Sequence, residues 1–314
     1  MRVAIVIVNY NSGRLLERCL QSLRDQTLQP DLVVVVDNAS TETLSHQLLD
    51  ELPGIEVIRM KSNAGYGAAI NRATRDMADV DLLCCLNPDA FPAPDWLERL
   101  VNAADTHPDY HSFASLMLKA EDPSVIDGAG DVLHCSGIPW RRYHGKPLKQ
   151  CTIRQEPVFS PCAGAAMYRL KAFREVGEFD ERLFMYVEDV DLGFRLQLAG
   201  KPCLLVPAAR VLHIGSAITG ERSDFSSYYG HRNLVYQYLK NMPLFLLILT
   251  LPLHLAANIA TILILSFRGS GKAILRAKKD AIALLPEAVA ARKHTTRTIS
   301  IREVWRILGM PARS

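Results

Sequence analysis

No C-x-x-C pair occurs among the seven cysteines of this 314-residue chain, and their scatter fits no disulfide framework. A reducing compartment is therefore expected. Charge of one sign is also scarce. A net charge of +3 is too mild to mark nucleic acid as the main partner. No internal repeat or low-complexity tract interrupts the chain. Its first residues lack the pattern of a cleavable signal peptide and run directly into a strand-like segment. The G-x-G-x-x-G fingerprint of dinucleotide binding is missing too. Gly65-Tyr66-Gly67 lacks the third glycine and follows the third strand-like run, not the first.

What is present is a large apolar fraction. At 49% hydrophobic and 22% charged residues, the chain is globular with a substantial core. Its length suits one large domain, or one domain with an appendage. Arg2–Asn9, Leu32–Val36, Ile55–Met60 and Asp81–Leu86 are apolar, largely β-branched runs that read as buried strands. Leu15–Leu23, Leu44–Leu52, the stretch from Asn63 to Asn71 and Asp95–Ala104 read as helices between or after them. The alternation predicts an α/β fold with a doubly wound, mostly parallel sheet.

In such sheets ligands sit beyond the carboxyl ends of the strands. Three strand ends carry polar groups there: Asn9 to Ser12, Asp37 to Ser40, and Asn87 to Asp89. Asp89 suits a hard divalent cation, or simply closes a Pro-Asp turn. Asp37 suits a base N–H or a ribose hydroxyl, or caps the next helix. Gly65 and Gly67 would let backbone approach a ligand closely at a helix N-terminus that favours negative charge.

Later, Asp127 to Asp131 and Gly137 to Gly145 read as turns and a partly aromatic loop. Arg141 and Arg142 in that loop suit phosphates or solvent. Small residues from Pro161 to Met167 permit close approach of a sugar or close packing. From Phe179 to Arg195 an aromatic segment runs into Glu188, Asp189 and Asp191, acids that also suit a helix start. His213 stands in an apolar context, and Arg232 suits a diphosphate or a surface ion pair.

The order of IVIVNYNS (5–12), VVDNAS (35–40), NAGYGAAIN (63–71) and LNPDA (86–90) resembles the nucleotide-binding half of family 2 glycosyltransferases, and within them a rhamnosyltransferase-like subgroup of bacterial surface-polysaccharide assembly. The likeness covers about residues 3 to 240. It implies a GT-A fold and a nucleotide-diphosphate sugar donor held by Asn9, Tyr10, Asn11, Asp37, Asn63, Gly67, Asn71, Asn87 and Arg232. It implies Mg²⁺ or Mn²⁺ at Asp89, the last aspartate of a D-x-D motif, with His213 completing the site. This chain departs from that motif at Asn87, a neutral amide. The resemblance also implies a general base at Asp189, with Glu188 and Asp191 as alternatives. It implies inversion at the anomeric carbon and a glycan or lipid-linked acceptor. Two rival readings are a catalytically silent sugar-nucleotide binder and a sugar nucleotidyltransferase.

Pro243 to Phe267 contains no charged residue. As a helix it would reach roughly 38 Å, against a bilayer core of about 30 Å. Lys240 precedes it, and Arg268, Lys272, Arg276, Lys278 and Lys279 follow. Nucleotide sugars are cytoplasmic, so both flanks belong on the cytoplasmic face of the inner membrane. That leaves a re-entrant hairpin or a peripheral or monotopic helix in the interface; a buried core helix pair is the soluble alternative. The expected division is a catalytic domain over 1–240, a membrane-associated apolar and basic segment over 241–285, and a basic surface tail over 286–314.

Overall fold

The first four strand-like runs form one parallel layer. In the computed structural model, which describes residues 1–41, 54–215, 223–267 and 269–308, they are β1 (Val3–Asn9), β2 (Leu32–Asp37), β3 (Ile55–Arg59) and β4 (Leu82–Leu86). Their order is β4-β1-β2-β3, all parallel. α1 (Arg14–Arg24) and α2 (Tyr66–Thr74) lie between these strands in sequence. The helix expected over 44–52 lies outside the described residues.

Beyond β4 the sheet stops being parallel. The chain continues through β5 (Ala90–Pro92), α3 (Trp96–Thr106), β6 (Ser112–Lys119), β7 (Ile126–Ala129), a hairpin of β8 (Asp131–Leu133) and β9 (Pro139–Arg141), β10 (Pro157–Val158) and β11 (Ala165–Arg169). β11 inserts antiparallel between β4 and β6. After α4 (Leu170–Glu175) and α5 (Glu188–Leu198), β12 (Cys203–His213) pairs parallel with β6 and antiparallel with β5. The mostly parallel expectation therefore holds for the N-terminal half only.

The period-two alternation of buried strands divides the core into two layers. Ile5, Ile7, Cys84 and Leu86 pack under α1 and α3 through Leu16, Leu20, Trp96 and Leu100. Ala4, Val6, Cys85 and Val36 pack on the other side against Ile70 of α2, Phe173 of α4 and Leu192 of α5. The neighbouring thiols Cys84 and Cys85 thus belong to different cores.

Among the described residues five α-helices follow β12: α6 (Asp224–Asn241), α7 (Leu244–Phe267), α8 (Gly271–Ala283), α9 (Leu285–Ala291) and α10 (Ile301–Leu308). The last stretch is no loose surface tail. Val304 and Leu308 of α10 are buried in a third cluster with Phe194 and Leu198 of α5 and Tyr238 of α6.

The apolar run is one continuous helix through Pro252, not a hairpin, and not a buried pair. Its inward stripe is Leu246, Thr250 and His254, the only α7 positions that are fully buried. Thr250 hydrogen-bonds Tyr238 at 2.8 Å, and His254 stacks on the Tyr238 ring with centroids 3.8 Å apart. Ile248, Leu255 and Ile259 on the other faces are more than half exposed. The helix is inside-out: polar groups face the protein and aliphatic groups face outward.

α6 is bolted to α5 by charge. Lys240 Nζ lies 2.7 Å from Asp180 and 2.9 Å from Asp191, with all three side chains buried. Arg195 and Asn241 complete the shell of Asp191 at 2.7 and 2.8 Å. Burial pushes the Asp191 carboxyl up, but Arg195 and Lys240 more than offset it and hold it below the usual range. Removing one partner strands a buried charge, at a cost of about 3–5 kcal/mol. Lys240→Met should therefore lower the unfolding free energy by about that amount in urea titrations. A loss under about 1 kcal/mol, the worth of a surface pair, would refute the anchoring role.

Candidate active site

The polar strand ends converge where the sequence placed them. A hollow of about 670 Å³ opens at the carboxyl edge of β1, β2 and β4. Tyr10, Asn38, Asn63, Asn87 and Asp89 line it from the N-terminal half, and Glu188, Asp189 and His213 from the C-terminal half. Its size falls in the usual range for a small-molecule site.

Register brings Asp89 and His213 together. Antiparallel pairing of β5 with β12 sets His213 opposite Ala90, and the Ile214 N–H donates to the Asp89 carbonyl at 3.1 Å. His213 Nε2 then lies 3.4 Å from Asp89 Oδ1, and Nδ1 lies 2.9 Å from Asp127 Oδ2. Burial pulls the imidazole pKa down, but the flanking carboxylates of Asp127 and Asp89 raise it overall. Burial likewise pushes Asp127 up, while His213 and then Arg141 hold it below the usual range. Arg141 Nη1 reaches Asp127 Oδ2 at 2.7 Å and lines the hollow. Arg142 instead pairs with Glu156 at 2.7 Å.

Across the hollow, Asp189 is held by backbone. The Ala163 N–H donates to Oδ2 at 3.1 Å and the Val190 N–H to Oδ1 at 2.9 Å. The small residues from Cys162 to Gly164 allow this approach and line the hollow. Two further acids flank Asp189. Burial and the Asp189 charge push both Glu188 and Asp131 up to about 8. Burial thus favours the protonated form of both side chains and lessens repulsion among the clustered carboxyls.

The turn before α5 is strained. Phe184, Tyr186 and Val187 all adopt positive φ, at 63°, 68° and 70°. Asn233 of α6 holds it, its amide donating to the carbonyls of Leu183, Met185 and Tyr186 at 2.7, 2.9 and 2.8 Å. Gly65 serves the same turn: a Cβ there would lie 2.2 Å from the Phe184 oxygen.

Several sequence candidates have other duties. Asn71 is buried, bonded to the Phe179 backbone and to Glu181, and does not line the hollow. Gly67 makes room for the Phe179 side chain rather than for a ligand. Arg232 donates to the Arg182 and Leu183 carbonyls at 2.9 and 3.0 Å. Asp191 belongs to the buried ion network and does not reach the hollow. Asn9 and Asp37 sit opposite each other on β1 and β2, joined at 3.1 Å, one residue away from the lining Val8, Tyr10 and Asn38. Asn11 caps the Thr41 N–H at 2.8 Å.

The sequence did not single out Asp127, Asp131 or Asn233. Two acids spaced around Gly128-Ala129-Gly130 read as a turn, whereas Ile126–Ala129 and Asp131–Leu133 are short strands that carry them to the site. Trp140, 42% exposed in the middle of β9, also lines the hollow.

A parallel half-sheet, an antiparallel insertion and an acid-lined hollow at the strand ends are the architecture of a GT-A-like fold. The chain belongs to the glycosyl transferase family 2, whose sequence profile matches residues 4–177. It is 32% identical over 259 residues to an N-acetylglucosaminyl-diphospho-decaprenol L-rhamnosyltransferase of Mycobacterium tuberculosis, covering 75% of this chain and 83% of that protein. It is 29% identical to the O-antigen chain rhamnosyltransferase RfbN of Salmonella typhimurium, covering 73% of this chain and 71% of the other. Among solved structures, the mannosyltransferase PcManGT from Pyrobaculum calidifontis, in complex with GDP-Man and Mn²⁺, superposes with a TM-score of 0.57 at 16% identity. That match covers 98% of this chain and 87% of the other, and it speaks for the fold alone.

The protonated acids give the structure a pH signature. An unfolded glutamate titrates near about 4.3, while folded Glu188 does so at about 8. The folded state keeps a proton that the unfolded chain has released. Its contribution to stability is complete below about pH 4.3 and is lost as the pH rises to about 8. Glu188→Gln stays neutral throughout, so its melting temperature should fall less than that of the parent between about pH 5 and 8. Parallel melting curves for the two proteins would exclude a raised Glu188 pKa.

Proposed function

We propose that this chain transfers a sugar, rhamnose being the first to test, from a nucleotide-diphosphate donor to a lipid-linked glycan acceptor, inverting the anomeric centre. The observation that carries this reading is the meeting of Asp89 and Asp189 in one hollow of a family 2 chain. The two rhamnosyltransferase relatives support the choice of sugar, and the name of the mycobacterial one supports a lipid-diphosphate acceptor.

In this reading the nucleoside lies along Tyr10, Asn38 and Asn63, with Asp37 and Asn9 behind them. Asp89 and His213 fit a divalent cation. His213 Nε2 is buried and faces Asp89 Oδ1 at 3.4 Å, while Asp127 fixes the ring from Nδ1 as carboxylates do for ligating histidines. A nitrogen donor favours Mn²⁺ over Mg²⁺. Among the described residues no three His, Cys, Asp or Glu side chains form a ready-made cage, so donor phosphates would complete the shell. When bound, the cation supplies charge neutralisation on the departing diphosphate.

Asp189, fixed by two backbone N–H groups, accepts the proton of an acceptor hydroxyl. The oxygen attacks the anomeric carbon as the bond to the diphosphate breaks on the opposite face. One displacement needs no enzymic nucleophile, and the main contribution of the hollow is positioning. Asp189→Asn should lower transfer by at least about a hundredfold while nucleotide binding, read by thermal shift with dTDP-, UDP- and GDP-sugars and Mn²⁺, persists. A parent protein that binds such donors yet turns none over with any acceptor would instead be the silent binder.

The same reading places the chain on a membrane surface. α7 is long and apolar enough to cross a bilayer by length and composition, but its polar stripe is fixed to the domain and its aliphatic faces point outward. Lys279, exposed on the helix that follows, suits anionic headgroups. A monotopic helix on the cytoplasmic face of the inner membrane fits both features. Replacing Ile248 and Leu255, 67% and 53% exposed, by Asp should abolish co-flotation with phosphatidylglycerol vesicles. Flotation as strong as that of the parent would remove α7 from the membrane contact.

A further inference from the structure

A second hollow, of about 430 Å³, adjoins the first. Phe225 lines both. Phe225, Tyr228 and Tyr229 of α6 form an aromatic wall, and Lys272 and Arg276 of α8 lie one helical turn apart on the opposite side. Asp224 also lines it, leaving two cations against one carboxylate. The Arg276 guanidinium lies 4.9 Å from the Tyr228 ring centroid. Asp280, the acid nearest Arg276 at 3.8 Å, already accepts from the Tyr228 hydroxyl at 2.6 Å. Exposed Leu275 and Ile282 share the outer face of α8 with these cations, and α7 with its outward aliphatic faces packs beside α8.

We propose that this second hollow takes the diphosphate of the lipid-linked acceptor. The glycan would reach past Phe225 into the larger hollow, and the lipid would leave along α7. The assignment rests on the transferase reading above, since it names the acceptor subsite of that reaction. Its chemical logic is separate. An Arg fork and a Lys on one helix face match a diphosphate, and the apolar neighbours match an isoprenoid rather than free phosphate.

Farnesyl diphosphate serves as the probe, added to the full chain in detergent micelles with EDTA so that cation-dependent binding in the larger hollow is suppressed. The parent should bind it at least about tenfold tighter than farnesol or inorganic pyrophosphate, and Lys272→Ala/Arg276→Ala should erase that advantage. Both side chains are solvent-facing, so an unchanged melting temperature serves as the folding control. The proposal is overturned if pyrophosphate alone binds as tightly, which would make this a free-phosphate site. It is overturned if the double variant binds like the parent. It is also overturned if the variant loses flotation on phosphatidylglycerol vesicles in the same proportion as probe binding, which would make the two cations general membrane charges. None of these readouts requires turnover, so failure here is distinct from failure of the transfer reaction, which donor turnover reports.

Discussion

The site depends on a turn that does not want to form. Three consecutive-region residues, Phe184, Tyr186 and the β-branched Val187, sit at positive φ immediately before α5. Each such residue costs on the order of 1–3 kcal/mol, so the segment stores about 3–9 kcal/mol. The two N–H groups of the Asn233 amide, shared among the Leu183, Met185 and Tyr186 carbonyls, and the Tyr66 N–H donating to the Phe184 carbonyl hold the turn, while Arg232 holds the Arg182 and Leu183 carbonyls that precede it. The strain sets the direction in which the chain enters α5, and with it the aim of Glu188 and Asp189 into the hollow.

Opposite that turn the sheet does the aiming without strain. Asp89 follows the last residue pairs of β4 and leads straight into β5, whose three-residue ladder with β12 fixes His213 beside it. A slip of one residue would turn His213 to the other face. Asp127 arrives on β7 and locks the imidazole ring through Nδ1. The two halves of the hollow are thus built by different means. The side with Asp89 and His213 is a consequence of strand register, and the side with Asp189 is a consequence of helix α6 clamping a loop.

This difference explains how much could be read from the sequence. Strand ends are visible as apolar runs that stop at polar residues, so Asp37, Asp89 and their neighbours could be placed before any coordinates. The resemblance then pointed to Asp189 and His213, which geometry alone would not have separated from their neighbours. Asp191 shows the limit. In E-D-x-D it is as acidic as Asp189, but two residues further along a helix turns it about 200° away, toward Lys240 and Arg195. Arg232 and Asn233 show it again. Arg232 suits a diphosphate by its chemistry, and only the tertiary fold reveals that it and Asn233, which the sequence did not single out, both serve the 182–187 backbone. Gly65 and Gly67 permit close approach, as glycines do, yet what approaches is Phe184 and Phe179.

One helix joins the two hollows, the clamped loop and the buried ion network. α6 begins with Phe225, shared by the two hollows, carries Asn233 at the clamp and ends at Lys240 in the buried ion network. Tyr238 on the same helix receives the polar stripe of α7 through Thr250 and His254. The outward-facing aliphatic helix is therefore not a detachable anchor. A force or displacement on α7 is transmitted to α6 through packed rings and a hydrogen bond, and α6 holds the loop that aims Asp189. Interiors this densely packed pass such displacements on rather than absorbing them. The position of α7 and the position of the loop that leads into Asp189 are, in this architecture, two consequences of the position of one helix.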